Sequence, residues 1–193
     1  MRYTDDMCGR YQFYDQRNEE VRRMIETVKQ QMPEQEFRKL SLSEVFPGQM
    51  VLTEVFGHSD GKFHVCPMIW GYPGKGKLII NGRSETADVS RFFAGSSRCI
   101  IPASGYYEWT KNPRQKYYIA RTEGMAYLGA LCRREADGWR FVILTEAAQG
   151  FQKEIHDRMP LMFSKEDAKN WLKGSDYKRM LSASLKDRKA VKV

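Results

Sequence analysis

Cysteine is scarce in this chain, histidine scarcer, and uninterrupted apolar runs are short; each shortage removes a class of protein. Cys8, Cys66, Cys99 and Cys132 are the only thiols. They are widely spaced and form no CxxC pair, so no disulfide framework is expected. Of the three histidines, only His64, in His64-Val65-Cys66, offers a metal-ligand pair, and no second pair has zinc-like spacing. Neither a metal nor any other cofactor is expected. No run approaches the roughly 20 apolar residues that span a bilayer. The first residues, MRYTDD, also lack the apolar core of a secretory signal. These absences point to a soluble cytoplasmic protein with no membrane partner. Repeats, low-complexity linkers and an internal domain boundary are missing as well.

What is present suits a single folded unit. The 193 residues are 41% apolar and 29% charged, enough to bury a core in one domain and too short for two of full size. Lys and Arg outnumber Asp and Glu by 32 to 24, a formal charge of +8. A basic balance favours polyanions, because neutralised phosphates release their counterions. Arg10, Arg83, Arg91 and Arg98 sit beside Gly, Ser or Cys and outside helical charge runs.

Residues from about Asn18 to Met32 carry Val21, Met24, Ile25 and Val28 at helical spacing, with Glu19 and Glu20 first and Pro33 last, which predicts an amphipathic helix. From Gln49 the period becomes strand-like. MVLTEVF and KFHVCPMIW flank Asp60-Gly61, a hairpin signal. KLII, RCII, GYYEW, QKYYIA, MAYLGAL and WRFVIL follow. Ser164, Asp167, Trp171, Leu172 and Gly174 predict a second helix with both caps. The basic residues from Lys178 to Val193 read as a frayed, solvated tail. The expected fold is α+β: a curved, mostly antiparallel, barrel-like sheet with peripheral helices.

Four stretches end or follow apolar runs, where sites on a rigid sheet tend to lie: Cys8-Gly9-Arg10, Asn81-Gly82-Arg83-Ser84-Glu85-Thr86, Gly105-Tyr106-Tyr107-Glu108-Trp109 and Ile155-His156-Asp157-Arg158-Met159-Pro160. Separately each is weak. Cys8 alone is as well a small apolar residue, Glu108 a surface acid, His156 a loop histidine in an ion-paired turn, and Asn81-Gly82 a turn.

Together, and in this order, the four resemble the SOS response-associated peptidase family, with its MCGR, NARSE-type, GFYEW-type and IHDRMP-type motifs. The resemblance runs from about residue 7 to 172 and includes RCIIPA and ILTEAA. It implies a curved sheet core, a positively charged groove, and protection of abasic sites in single-stranded DNA by covalent attachment through a terminal cysteine. By motif, it implies Cys8 as the crosslinking nucleophile, Asn81 as its orienting neighbour, and Glu108 and His156 as acid/base groups. Arg10 and Arg83 would hold phosphate, with Ser84 and Arg158 beside them, and Trp70 is the stacking or wedge candidate. The expected partner is abasic single-stranded DNA, bound by a monomer that is nucleoid-associated when on DNA.

Three features depart from the family pattern. The leader MRYTDD buries the α-amine of Cys8 in a peptide bond; either translation starts at Met7, or the protein cuts itself between Met7 and Cys8. Gly82 replaces the usual alanine. The segment GYPGKGKLII after Trp70 is short and glycine-rich. Two rival readings stand beside the resemblance: a cysteine peptidase or amidohydrolase with Cys8 as nucleophile and His156 as base, and a non-covalent single-strand binding module.

Overall fold

The computed structural model describes residues 9–13 and 18–193. Strand β1 (Arg10–Gln12) comes first, then helix α1 (Glu19–Gln31). The Asn18 side-chain oxygen accepts from the amides of Glu20 and Val21 at 3.0 and 3.1 Å, satisfying two donors that a helix start leaves open. Val21, Met24 and Val28 are the buried stripe. Pro33 stops α1 and opens the short helix α2 (Glu34–Phe37), since its ring suits a first turn and breaks a middle one.

Strand β2 (Glu44–Val45) leads to the long hairpin of β3 (Met50–Gly57) and β4 (Lys62–Trp70), paired from Met50–Ile69 to Gly57–Lys62. Gly61 turns it with φ +69°. The short glycine-rich segment forms a small hairpin of β5 (Tyr72–Pro73) and β6 (Leu78–Ile79), then β7 (Asn81–Arg83) and the one-turn helix α3 (Ser84–Ala87). Asn81-Gly82 is therefore strand, not turn.

Next come β8 (Ser97–Ala103), β9 (Gly105–Trp109), β10 (Lys116–Arg121), β11 (Ala126–Glu135) and β12 (Gly138–Ala147). A 3₁₀ turn (Gly150–Glu154), β13 (Arg158–Pro160) and β14 (Met162–Phe163) precede helix α4 (Lys165–Leu172). The α4 cap matches the sequence reading: Ser164 Oγ accepts from the Asp167 amide at 3.0 Å, and Gly174 ends the helix at φ +84°. Helix α5 (Tyr177–Ser182) and strand β15 (Arg188–Lys192) complete the chain.

Eight strands form one mixed sheet, in the order β13-β12-β4-β3-β8-β11-β14 with β7 on β12, and five form another, β15-β10-β9-β1-β2. The large sheet curls until β12 pairs along β11 and also touches β4 at Arg140–Ile69 and Phe141–Trp70. The curl falls short of a closed barrel, since β3 meets β8 at the single pair Glu54–Ile100. Ser104 carries the chain from one sheet to the other, its amide bonded to the Gln12 carbonyl at 2.8 Å. Gly105 follows by necessity: a Cβ there would stand 2.6 Å from the Ile119 carbonyl oxygen and 2.7 Å from the Tyr118 hydroxyl.

Two expectations fail. The basic tail is not frayed; β15 pairs antiparallel with β10 along its length, because an open sheet edge offers main-chain partners whatever the side chains. Trp70 is no base-stacking residue. It is fully buried, stacks at 6.2 Å and 5° on Phe141, and donates its indole N–H to the Ile80 carbonyl at 3.0 Å.

Candidate active site

Strand β9 presents two faces, since side chains alternate along a strand. Tyr106 and Glu108 point inward and are buried, while Tyr107 and Trp109 are half-buried on the other face. Glu108 is 5% exposed, and its Oε1 accepts from the Trp109 amide at 3.3 Å. Burial of a charge costs several kcal/mol unless it is compensated.

The Tyr106 hydroxyl ties β9 to the loop that carries His156. It accepts from Arg188 Nη1 at 2.9 Å and meets Gln152 Nε2 in a short hydrogen bond. The Gln152 carbonyl in turn accepts the His156 amide at 2.8 Å. The histidine's place is thus fixed from the same face of the strand that holds Glu108. Its Nδ1 lies 3.1 Å from the Arg158 amide and 2.8 Å from Asp157 Oδ1. A neutral ring can accept from that amide, and a protonated ring can donate to that carboxylate. Either protonation state of the ring therefore finds a partner.

Asn81 lies on a different strand, in the large sheet. Strand β7 runs parallel to β12, with Asn81 opposite Ile143 and Arg83 opposite Thr145. The Thr145 hydroxyl donates to the Gly82 carbonyl at 3.2 Å. Gly82 has a local cause: an added Cβ would stand 2.8 Å from the Phe93 ring edge and 3.2 Å from a Leu144 methyl. Gly82→Ala is expected to displace Phe93 and lower stability by about 1 kcal/mol, the low end of overpacking costs, which thermal unfolding measures.

Arg158 differs from its expected role. Its guanidinium donates to Glu85 Oε1 and Oε2 at 2.5 and 2.7 Å and to the Thr145 carbonyl at 2.6 Å, and the side chain is only 16% exposed. It fastens the histidine loop to α3 and β12 and has no face left for a phosphate. Ser84 is likewise buried, its carbonyl accepting from the Tyr177 hydroxyl at 2.9 Å.

The Arg158 hydrogen bonds hold the Glu85 carboxyl below its ordinary range. A depressed carboxylate pKa adds stability above the unfolded value of about 4.3, lost as pH falls through the folded value. Glu85→Gln should therefore lower Tm by about 2 °C at pH 7, a modest effect for a half-exposed pair. The difference from the unsubstituted protein should vanish well below pH 4.

Arg83 is exposed at the end of β7, and no carboxylate among the described residues pairs with it. Arg10 bonds Glu44 at 3.1 Å and lies 4.3 Å over Phe46 and 5.3 Å from Trp109. Lys116 and Arg114 also stand over Trp109, each at 5.9 Å. Trp109 has three cations over its ring and is half-buried where Trp70 is fully buried, and Gln152 links Tyr106 to the His156 loop; neither stood out by itself in the sequence. The four-residue spacing from Gln152 to His156 was the one available signal. Cys8 lies outside the described residues.

No helix among the described residues is long and apolar enough to cross a membrane. The family model for SOS response associated peptidases matches residues 7–192. Among curated proteins, the chain is 34% identical over 182 residues to the abasic site processing protein YedK of Escherichia coli, covering 86% of this chain and 80% of that one. It is 27% identical over 185 residues to the abasic site processing protein YobE of Bacillus subtilis, covering 86% and 82%. Among solved structures, proteins from Bacteroides thetaiotaomicron and Bordetella bronchiseptica match with TM-scores of 0.72 and 0.69 at 18% and 20% identity, over 96% of this chain and 92% and 99% of theirs; these establish the fold. With its family model matched from end to end of the four motifs, the chain belongs to the SOS response associated peptidase family.

Proposed function

We propose that this protein binds single-stranded DNA and couples covalently to abasic sites through Cys8, once residues 1–7 are absent and its α-amine is free. The supporting observation is the setting of Glu108. It is buried on β9, on the face whose Tyr106 anchors the His156 loop. Arg10 is paired with Tyr107, so Gly9, peptide-bonded to Cys8, approaches the Glu108 end of that strand.

The open form of an abasic sugar carries an aldehyde. The Cys8 amine adds to it, the carbinolamine loses one water to give a Schiff base, and the thiolate adds to the imine carbon to close a thiazolidine. An α-amine titrates at roughly 7.7 to 8.0 and a thiol at about 8.5, so both nucleophiles are present near neutrality. Glu108 serves the carbinolamine step and His156 the sugar hydroxyl during ring opening. Asn81 orients the cysteine. Arg83 and Arg10 hold phosphate, and Trp109 stacks a base, a contact worth about 1 to 3 kcal/mol and indifferent to sequence.

The test is intact mass with an abasic single-stranded oligonucleotide, on chains that begin at Met1 and at Met7. The Met7 chain should lose its methionine and gain an adduct that survives denaturation and disappears in Cys8→Ala. Adduct from the Met1 chain would show that the protein removes its own leader. If neither folded chain forms an adduct, the covalent reading fails and plain binding replaces it; turnover of unrelated peptides would instead favour a cysteine peptidase.

A further inference from the structure

A cavity of about 470 Å³ opens on the large sheet, its lining including Val55, Phe56, Cys66, Trp139, Leu172 and Arg98. The volume falls within the range of built binding pockets. Its distance from the candidate active site is set by β8, which runs seven residues from Ser97 at the cavity to Ala103 at the crossing into β9, about 20 Å. The site described above makes no use of it.

Two properties of the cavity point to the same occupant. Its walls are largely apolar, with His58, Ser96 and Ser97 among them, and exposed aromatics stand at it: the lining residue Trp139 is 46% exposed, and Phe63, packed at 5.1 Å on the lining residue Phe56, is 42% exposed. Large aromatic side chains left in water beside an open cavity are unusual unless something covers them. The second property is charge. Arg98 is half-buried; its Nη1 donates to the Trp171 carbonyl at 3.3 Å and to the Ser175 carbonyl at 2.6 Å, and the guanidinium lies 4.4 Å over the Trp171 ring. No carboxylate among the described residues makes a salt bridge with it; the charge of the neighbouring Asp176, which caps the Arg179 amide at 2.8 Å, favours the cation only from a distance. Burial disfavours its charged form, a cost that a bound anion would offset. Lys173 adds a second cation, 5.8 Å from the Phe63 ring. The acids nearby are already engaged: Asp60 with His64, Glu135 with Arg133, and Asp137 with Arg140.

We propose that this cavity receives the C-terminal residue of a partner protein whose tail is acidic and ends in a large apolar side chain. A C-terminal residue of that kind joins an apolar group and a carboxylate on one carbon, matching the apolar wall and Arg98 at its edge. Upstream acidic residues face Lys173 and the net positive surface. Such a contact recruits the protein to a partner without occupying the surface that meets DNA.

The experiment uses the full chain and a fluorescein-labelled peptide, Glu-Asp-Asp-Leu-Phe with a free carboxylate, followed by anisotropy. One peptide should bind per chain with a Kd of about 10 μM or tighter. Amidating the peptide's C-terminus should weaken binding roughly tenfold, the loss of one charge-assisted contact. Cys66→Phe, which fills the cavity, should weaken it at least as much while leaving the melting temperature and adduct formation intact; Ser97→Trp, at the cavity rim, is the second obstruction should the first variant misfold. Binding that is absent at about 1 mM peptide, unchanged by amidation, or unchanged in both filled variants overturns the proposal. So does equal affinity for N-acetyl-phenylalanine alone, which would mark a small-molecule site, or displacement of the peptide by an oligonucleotide, which would assign the cavity to the DNA surface.

Discussion

Replacing Cys8 by serine, in a chain that begins at that residue, is expected on the proposed covalent mechanism to turn trapping of abasic DNA into cutting. The amine survives the substitution and still forms the Schiff base, but serine's hydroxyl, far less ionised than a thiol near neutrality, does not close the ring at a useful rate. A Schiff base that persists acidifies the hydrogens beside the former aldehyde carbon and promotes β-elimination, so the strand breaks on its 3′ side. Denaturing electrophoresis of an end-labelled oligonucleotide should show the cysteine protein as a shifted band and the serine protein as a shortened strand. A serine protein that neither traps nor nicks would end the amine-first mechanism.

The second large effect is expected at Glu108. Glu108→Gln keeps the shape of the buried side chain and removes its ability to exchange a proton, so the crosslinking rate should fall by about 100-fold or more, the usual range for a positioned acid/base, while affinity for intact single strands is preserved. His156→Ala should slow the reaction on closed abasic sugars and have less effect on an aldehyde that needs no ring opening. The paired measurement is crosslinking rate against pH for the two variants. Profiles unchanged from the parent protein in both would remove them from the chemistry. Gln152→Leu supplies a contrast: it breaks the link from Tyr106 to the histidine loop and should lower the rate without changing the shape of the pH profile.

Local features were legible in the sequence where a residue's neighbours in the chain are also its neighbours in space. Asn18 and Ser164 cap their helices with groups two or three residues away, and the β3–β4 hairpin turns where Asp60-Gly61 stands. The four motifs were legible as motifs; two of them fall on the paired strands β1 and β9, and the Tyr106–Gln152 bond ties the histidine loop to β9.

What escaped was set at long range. Arg158 looks like any arginine until Glu85, 73 residues earlier, takes both its amino groups. Ile69-Trp70-Gly71 reads the same whether the indole faces water or core, and Ile80's carbonyl decides it. Gly82 resembled a loosened turn because Phe93, against which it fits, lies in another segment. The tail was misread because its strand character belongs to β10, the edge it covers.

That last strand also orders events in time. Arg188 opens β15 and donates to the Tyr106 hydroxyl, on the strand that carries Glu108. During synthesis the motif nearest the N-terminus leaves the ribosome first, yet the scaffold behind Glu108 cannot close until residues 188–192 have been released. The strand that bears Glu108 therefore gains its Arg188 anchor late in synthesis, after the rest of the scaffold around Tyr106 has left the ribosome.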